Sequence, residues 1–169
     1  SKLISSNIAW FSRYEIIHET LMQQVSKSEI ESIEDQLIRQ QALDSYEEDA
    51  QKTVYRTDSE TMKKRLLTLG IVIDYILTHS PEDSKPLLSR VFNEQYNKAE
   101  DGTVTVRDKK LISAKSVQNP NDPDAHYRSK AGNKVKGFST NITETCDEEN
   151  KPNLITDVEV EGATTADNT

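Results

Sequence analysis

Cysteine is almost missing from this sequence. Cys146 stands alone, so no intrachain disulfide forms, a cysteine-based zinc site lacks ligands, and the thiol reads as buried or inert. Aromatic residues make up only 6% and hydrophobic residues 34%, against 30% charged, which implies a thin core under a large solvated surface. No apolar run approaches the roughly 18 residues needed to cross a bilayer, and no signal-peptide pattern opens the chain. A soluble, intracellular, cytoplasmic chain is therefore expected, without a membrane partner. Cations are outnumbered, with 21 Lys and Arg against 29 Asp and Glu and a net charge of -8. Phosphate neutralisation supplies most non-specific DNA affinity, so the balance argues against a dedicated nucleic-acid module and leaves any DNA contact to a local patch. Also lacking are a Gly-rich phosphate loop, a paired-His helix and a Ser or Cys nucleophile motif. His18, His79 and His126 lie far apart and read as surface or capping residues. Nothing repeats at a fixed period.

What is present is helical periodicity, then a change of character. At 169 residues the length suits one domain, or one small domain with an appendage. Ile8, Phe11, Tyr14, Ile17, Leu21 and Val25 fall at three- and four-residue spacing and predict a helix over 8–25. Ser28 followed by Glu31 suggests a capping box opening a second helix through Ile30, Ile33, Leu37 and Ile38. The charged stretch 44–56 leans to helix. From Asp58, Met62, Leu66, Leu69, Ile73, Ile76 and Leu77 mark the longest apolar face, the expected central helix of a bundle. Gly70 inside it costs up to about 1 kcal/mol relative to Ala, which implies close packing by a neighbour. Ser80-Pro81 reads as a helix start, with Leu87, Leu88, Val91 and Phe92 continuing to about Asn97.

Asp101-Gly102 is a turn pair, after which Thr103 to Val106 alternate as in a strand. Asn119 to Asp124 is dense in turn formers. Strand candidates at 135–146 and 153–161 flank the polar segment 147–152 and pair most simply as an antiparallel hairpin. Such a hairpin is marginal alone, so it must pack on the helices or pair with other strands or another molecule. Asp122, Asp124, Asp157 and Asp167 offer the oxygen ligands a divalent cation takes. The turn around Asp122 and Asp124 gives those two a local backbone role that outweighs a metal role. Across 107–137, Arg107, Lys109, Lys110, Lys115, Arg128, Lys130, Lys134 and Lys136 face only Asp108, Asp122 and Asp124. That basic stretch reads as a phosphate-contacting surface, or else as a solvated loop balanced by charges elsewhere.

The run Asn119-Pro120-Asn121-Asp122-Pro123-Asp124-Ala125-His126-Tyr127-Arg128-Ser129-Lys130, then Lys136-Gly137-Phe138, then Asn153-Leu154-Ile155-Thr156-Asp157, resembles the mid-region of insertion-sequence transposases with a DDE catalytic core. The opening Ser1 to Ala9 resembles the segment after that family's first catalytic aspartate. The resemblance implies a ribonuclease-H-like core in which acidic residues hold two divalent metals, Mg2+ or Mn2+, for attack on a phosphodiester. It also implies that the first catalytic aspartate precedes Ser1 and that the second aspartate and the glutamate follow Thr169. Asp167 matches an acidic position just before a helix, and Asp122, Asp124, Gly137 and Asp157 match motif positions of unassigned role.

The expected fold class is α+β. Residues 1–98 form a helical bundle, which the resemblance makes an insertion. Residues 99–169 form a strand-and-loop segment, which the resemblance makes part of a ribonuclease-H-like core. No catalytic residue, metal ligand or cofactor is expected in this chain itself. The expected function is that of a DNA transposase fragment, inactive alone, with DNA as partner of the intact protein. The competing expectation is a helical interaction module that forms homo-oligomers through the edge of its hairpin.

Overall fold

The computed structural model describes residues 11–130, 133–144 and 155–162. Among the described residues six helices come first: α1 (Arg13–Gln24), α2 (Lys27–Glu31), α3 (Gln36–Tyr46), α4 (Ala50–Arg56), α5 (Ser59–His79) and α6 (Pro86–Gln95). A small hairpin follows, β1 (Tyr96–Lys98) with β2 (Val104–Val106), then a 3-10 turn at Lys109–Leu111. A second, three-stranded antiparallel sheet runs β3 (His126–Lys130), β4 (Asn133–Glu144), β5 (Ile155–Gly162), in that order. The class is α+β. Among the described residues no helix is long and apolar enough to cross a membrane.

Polar side chains set the helix starts. Ser12 and Ser26 each form a capping box with the glutamate three residues on, Glu15 and Glu29, satisfying backbone donors that the first turn leaves free. The box expected at Ser28 and Glu31 thus sits two residues earlier, because α2 already begins at Lys27. The helix expected through Ile30 to Ile38 is broken: α2 stops at Glu31, and Asp35 starts α3 by accepting from the Ile38 N–H. Ile33 and Ile38 are buried across the break, whereas Leu37 is exposed. The charged stretch 44–56 is divided as well, with Asp49 capping α4. Asp58 caps the long α5 as its apolar face predicts.

Helix α6 does not begin at Ser80-Pro81. Pro81 to Ser84 form a turn, with the Ser84 N–H and hydroxyl both donating to the Pro81 carbonyl, and Asp83 takes φ 57°. The helix starts instead at Pro86, where the missing N–H costs nothing. It ends at Gln95 rather than near Asn97, since Tyr96 turns into β1 and pairs with Val106.

One core cluster joins α1, α2, α3, α5 and α6 and reaches Tyr96 and Val117, with Val104 and Val106 packed against it. Residues beyond 98 therefore contribute to the helical core. Two strands that the sequence does not announce, β1 and β3, are too short for a visible alternation. The hairpin expected from 135–146 and 153–161 is present as β4 and β5, with an irregularity at Thr143/Glu144. The turn expected at Asn119 to Asp124 is also present, held by the Asn119 side chain, which accepts from the Asn121 N–H. Cys146, Asp167, residues 1–10, the segment 147–152 and the tail lie outside the described residues.

At Gly70 an added Cβ would stand 2.4 Å from the Tyr96 ring. Tyr96 is 1% exposed and its hydroxyl donates to the Leu66 carbonyl at 2.7 Å, so the ring has no room to yield. Gly70→Ala is therefore expected to destabilise by up to about 2 kcal/mol, an overpacking cost of about 1–3 kcal/mol offset by a helix-propensity gain of about 1 kcal/mol. Urea unfolding reads this directly, and a stabilised variant would mean that the ring moves.

Lys85, itself buried, donates to the Gln24 carbonyl at 2.8 Å and to Glu29 at 2.7 Å, joining α6 to the α1–α2 corner. That hydrogen bond, with those from Ser26, lowers the Glu29 carboxyl to about 2. A depressed carboxyl stabilises the fold above its unfolded value and loses that contribution as pH falls through the folded one. The difference in unfolding midpoint between the wild type and Glu29→Gln should accordingly shrink as pH is lowered from about 4.5 to 2. A difference constant across that range would show that the charge of Glu29 contributes nothing.

Candidate phosphate-contacting surfaces

The eight cations singled out in the sequence divide into two groups. Arg107, Lys109, Lys110 and Lys115 belong to the helical unit, where Lys109, Lys110 and Lys115 are exposed and Arg107 is half-buried. Arg128 and Lys130 lie on β3, Lys134 and Lys136 on β4.

On the hairpin, the register pairs Arg128 with Val135, Ser129 with Lys134, Lys130 with Asn133 and Tyr127 with Lys136. Strand positions alternate between faces. Positions 128 and 130 therefore share one face of the sheet and positions 134 and 136 the other. Residues 126–137 carry no Asp or Glu, so this ladder holds four cationic positions and no acidic one. Gly137 is buried and takes φ 139° where β4 changes partner from β3 to β5. An L side chain rarely adopts that backbone conformation, which gives the glycine a conformational reason to be there.

On the helical unit, the fold adds Arg13 and Lys63 to the group. These two, with Arg107, Lys109 and Lys110, rim an open groove of about 980 Å³ whose floor is Val54, Met62, Leu66, Leu67, Val104 and Val106. Arg13 donates to the Gln95 side chain at 2.8 Å and to its carbonyl at 2.7 Å. Arg107 donates to the Asn97 side chain at 3.0 Å and to the Tyr96 carbonyl at 3.3 Å. Both guanidiniums are thus held by neutral oxygens. Burial lowers the pKa of Arg13; Tyr96 and Asp108 oppose the shift, while the nearby Arg107 adds to it. Asp108 uses its carboxylate to cap the 3-10 turn through the Lys110 N–H.

Arg13 and Lys109 also line a second groove, of about 490 Å³, that extends along Ile112 to Gln118 to Tyr127 at the start of β3. The groove therefore runs from Arg13 and Lys109 of the helical unit along the loop 112–118 to the first residues of β3. No sequence period links Arg13 to Lys109, so only the fold could have shown this continuity.

Asp122 is half-buried in the turn, Asp124 is exposed beside it, and Asp157 is exposed on β5 opposite Thr143. Among the described residues no group of three His, Cys, Asp or Glu is placed to hold a metal ion. His18, expected as a surface or capping residue, is buried. Its Nε2 lies 2.7 Å from the Ser45 carbonyl and its ring stacks near Tyr14, which gives the polar ring a partner inside the core. His79 does cap its helix end, through the Tyr75 carbonyl at 2.8 Å.

Glu94 fixes the loop between the two surfaces. One carboxylate oxygen accepts from the Val117 N–H at 2.9 Å, the other from Arg90 at 3.0 Å, and Arg90 donates in turn to the Lys115 carbonyl. Val117 is fully buried, so Glu94→Ala strands its N–H and should cost about 1–3 kcal/mol. Hydrogen exchange at the Val117 amide is expected to accelerate; unchanged protection there would mean that another acceptor takes over.

Comparison of the chain with family models, with curated proteins and with solved structures finds no match in any of the three.

Proposed function

We propose that this chain is the middle part of a DDE-type DNA transposase, that its β3–β4 hairpin contacts DNA phosphate, and that it cleaves no DNA by itself. The observation that carries this reading is the hairpin ladder: Arg128, Lys130, Lys134 and Lys136 gathered without a carboxylate in a chain of net charge -8. Such a concentration of cations serves phosphate neutralisation even where the whole chain is acidic. The resemblance in motif order supports it: the Asp-Pro-Asp-Ala turn leads into β3, Lys136-Gly137-Phe138 falls within β4, and Ile155-Thr156-Asp157 opens β5. In this reading the helical unit is an insertion between strands of a ribonuclease-H-like core, and the sheet is part of that core.

In this reading the Mg2+ or Mn2+ chemistry of such an enzyme belongs to the longer protein, because the resemblance puts the catalytic acids before Ser1 and after Thr169. What this chain contributes is positioning. Cations on both faces of a two-stranded ladder hold phosphates in register without reading bases. A second reading, a helical interaction module that associates through strand edges, draws on the pairing of β4. Residues 133–137 pair with β3 and residues 138–144 with β5, so among the described residues each position of β4 has a strand neighbour on one side only.

Replacing Arg128, Lys130, Lys134 and Lys136 by Gln is expected to weaken binding to duplex DNA and to flatten the plot of log affinity against log salt by about 0.9 for each phosphate no longer neutralised. An unchanged slope removes the hairpin from the interface. In parallel, nuclease and strand-transfer assays with Mg2+ or Mn2+ should show activity only when the chain is lengthened at both ends to include the flanking acids. Metal-dependent cleavage by the 169 residues themselves would place the chemistry on Asp122, Asp124, Asp157 or Asp167 and overturn the reading.

A further inference from the structure

The groove between α5 and β2 combines two properties that call for a partner. Its lining is mostly aliphatic, with Leu67 still 36% exposed, and it carries five cations, Arg13, Lys63, Arg107, Lys109 and Lys110, against one carboxylate, Asp108. Lys63 is paired with Glu60 at 2.8 Å, whereas the two arginines donate to neutral oxygens. Strand β2 borders the groove, and among the described residues its outer edge has no strand partner. The one ring in the lining, Tyr14, is 3% exposed and its hydroxyl is tied to Glu48, so it offers little face for bases to stack on. The groove suits an extended peptide with small apolar residues on one face and carboxylates on the other, added to the open strand edge.

One described segment of this chain has that chemistry. In β5, Val158 and Val160 are 54% and 60% exposed, and Asp157 and Glu159 alternate with them, also exposed. Apolar and acidic positions therefore alternate with the period that an added strand needs. The charges are complementary, since β5 brings carboxylates to a rim that has cations to spare. We infer that β5 of a second copy of this chain docks in the α5–β2 groove, Val158 and Val160 against Leu67 and Met62, and its acids against Lys109, Lys110 and the two arginines. A contact between unlike surfaces closes as a reciprocal pair or continues as a chain of copies. Docking of this kind uses the groove and not the β3–β4 hairpin, and so is independent of the DNA reading.

Sedimentation velocity over a wide concentration range tests it, with circular dichroism to check folding. The full chain is expected to associate as concentration rises. Lys109→Glu with Lys110→Glu, and separately Asp157→Lys with Glu159→Lys, should each weaken association by about tenfold or more, and combining all four should restore it. Leu67→Glu should abolish it, along with binding of a synthetic peptide spanning residues 155–162. A chain that stays monomeric at every concentration, or charge reversals that fail to rescue one another, overturns the inference. If Lys109→Glu with Lys110→Glu weakens DNA binding and leaves association untouched, the groove is a nucleic-acid site and the inference also fails. Loss of DNA binding in the hairpin variants with association intact leaves both proposals standing separately.

Discussion

The seat of Tyr96 on Gly70 governs the arrangement of the helical unit. The ring lies where a Cβ would be, its hydroxyl is tied to the Leu66 carbonyl, and its face stacks on Phe92 at 5.3 Å. This one side chain therefore fixes α5 against the end of α6 at the point where helix becomes strand. Everything downstream inherits that geometry. Tyr96 opens the ladder to Val106, the Arg107 N–H returns to the Gln95 carbonyl, and Arg13 reaches across from α1 to the same Gln95. Lys98 adds an ion pair to Asp74 of α5 at 2.7 Å, but both partners are accessible and such pairs contribute at most about 1 kcal/mol. Burial of a large aromatic ring outweighs that several-fold, so packing, not charge, sets the position of the rim cations.

The second sheet rests on a different footing. Ala125, just before its first strand, is buried, while Phe138, Val158 and Val160 remain exposed. Its organisation comes from backbone pairing, with β4 as a long spine shared by two partners along different halves. A sheet of this sort keeps open edges and an open apolar face, which is a liability unless something covers them. The helical unit, by contrast, buries its apolar surface in one contiguous cluster.

The helices were largely legible because apolar periodicity and capping chemistry are local. Asp58 and the Leu66, Leu69, Ile73, Ile76 stripe announce α5, and Gly70 within it announces a close neighbour without naming Tyr96. The boundaries were less legible where two local signals compete. Ser28 and Glu31 have the right spacing for a capping box, but so do Ser26 and Glu29, and the buried position of Ile30 selects the latter. Pro81 and Pro86 can each start a helix, and the fixed point is Lys85, whose burial against Gln24 and Glu29 is a long-range contact that no window of sequence contains. The basic patch was legible as composition along 107–137, yet its division into a groove rim and a hairpin was not. Arg13 and Lys63 join the rim through folding alone, and the strand parity that separates Arg128 and Lys130 from Lys134 and Lys136 follows from a register that spacing does not reveal.

Net charge is a poor guide to partners here because screening confines each charge to its neighbourhood, about 8 Å at physiological salt. The excess acid of the chain therefore does not cancel the cations of the rim or the hairpin. What differs between the two surfaces is the backing. The rim stands over mostly aliphatic side chains, whose burial is insensitive to screening, whereas positions 128–137 place mostly small or polar residues between the cations, with Val135 the one large aliphatic residue. A partner held on the hairpin is bound mainly by charge, and its affinity should collapse as salt rises. A partner seated in the groove gains apolar burial as well, about 25 cal/mol for each Å² removed from water, so part of its affinity survives. Two cationic surfaces that look alike in the sequence are thus set apart by what lies beneath them, and salt separates their partners.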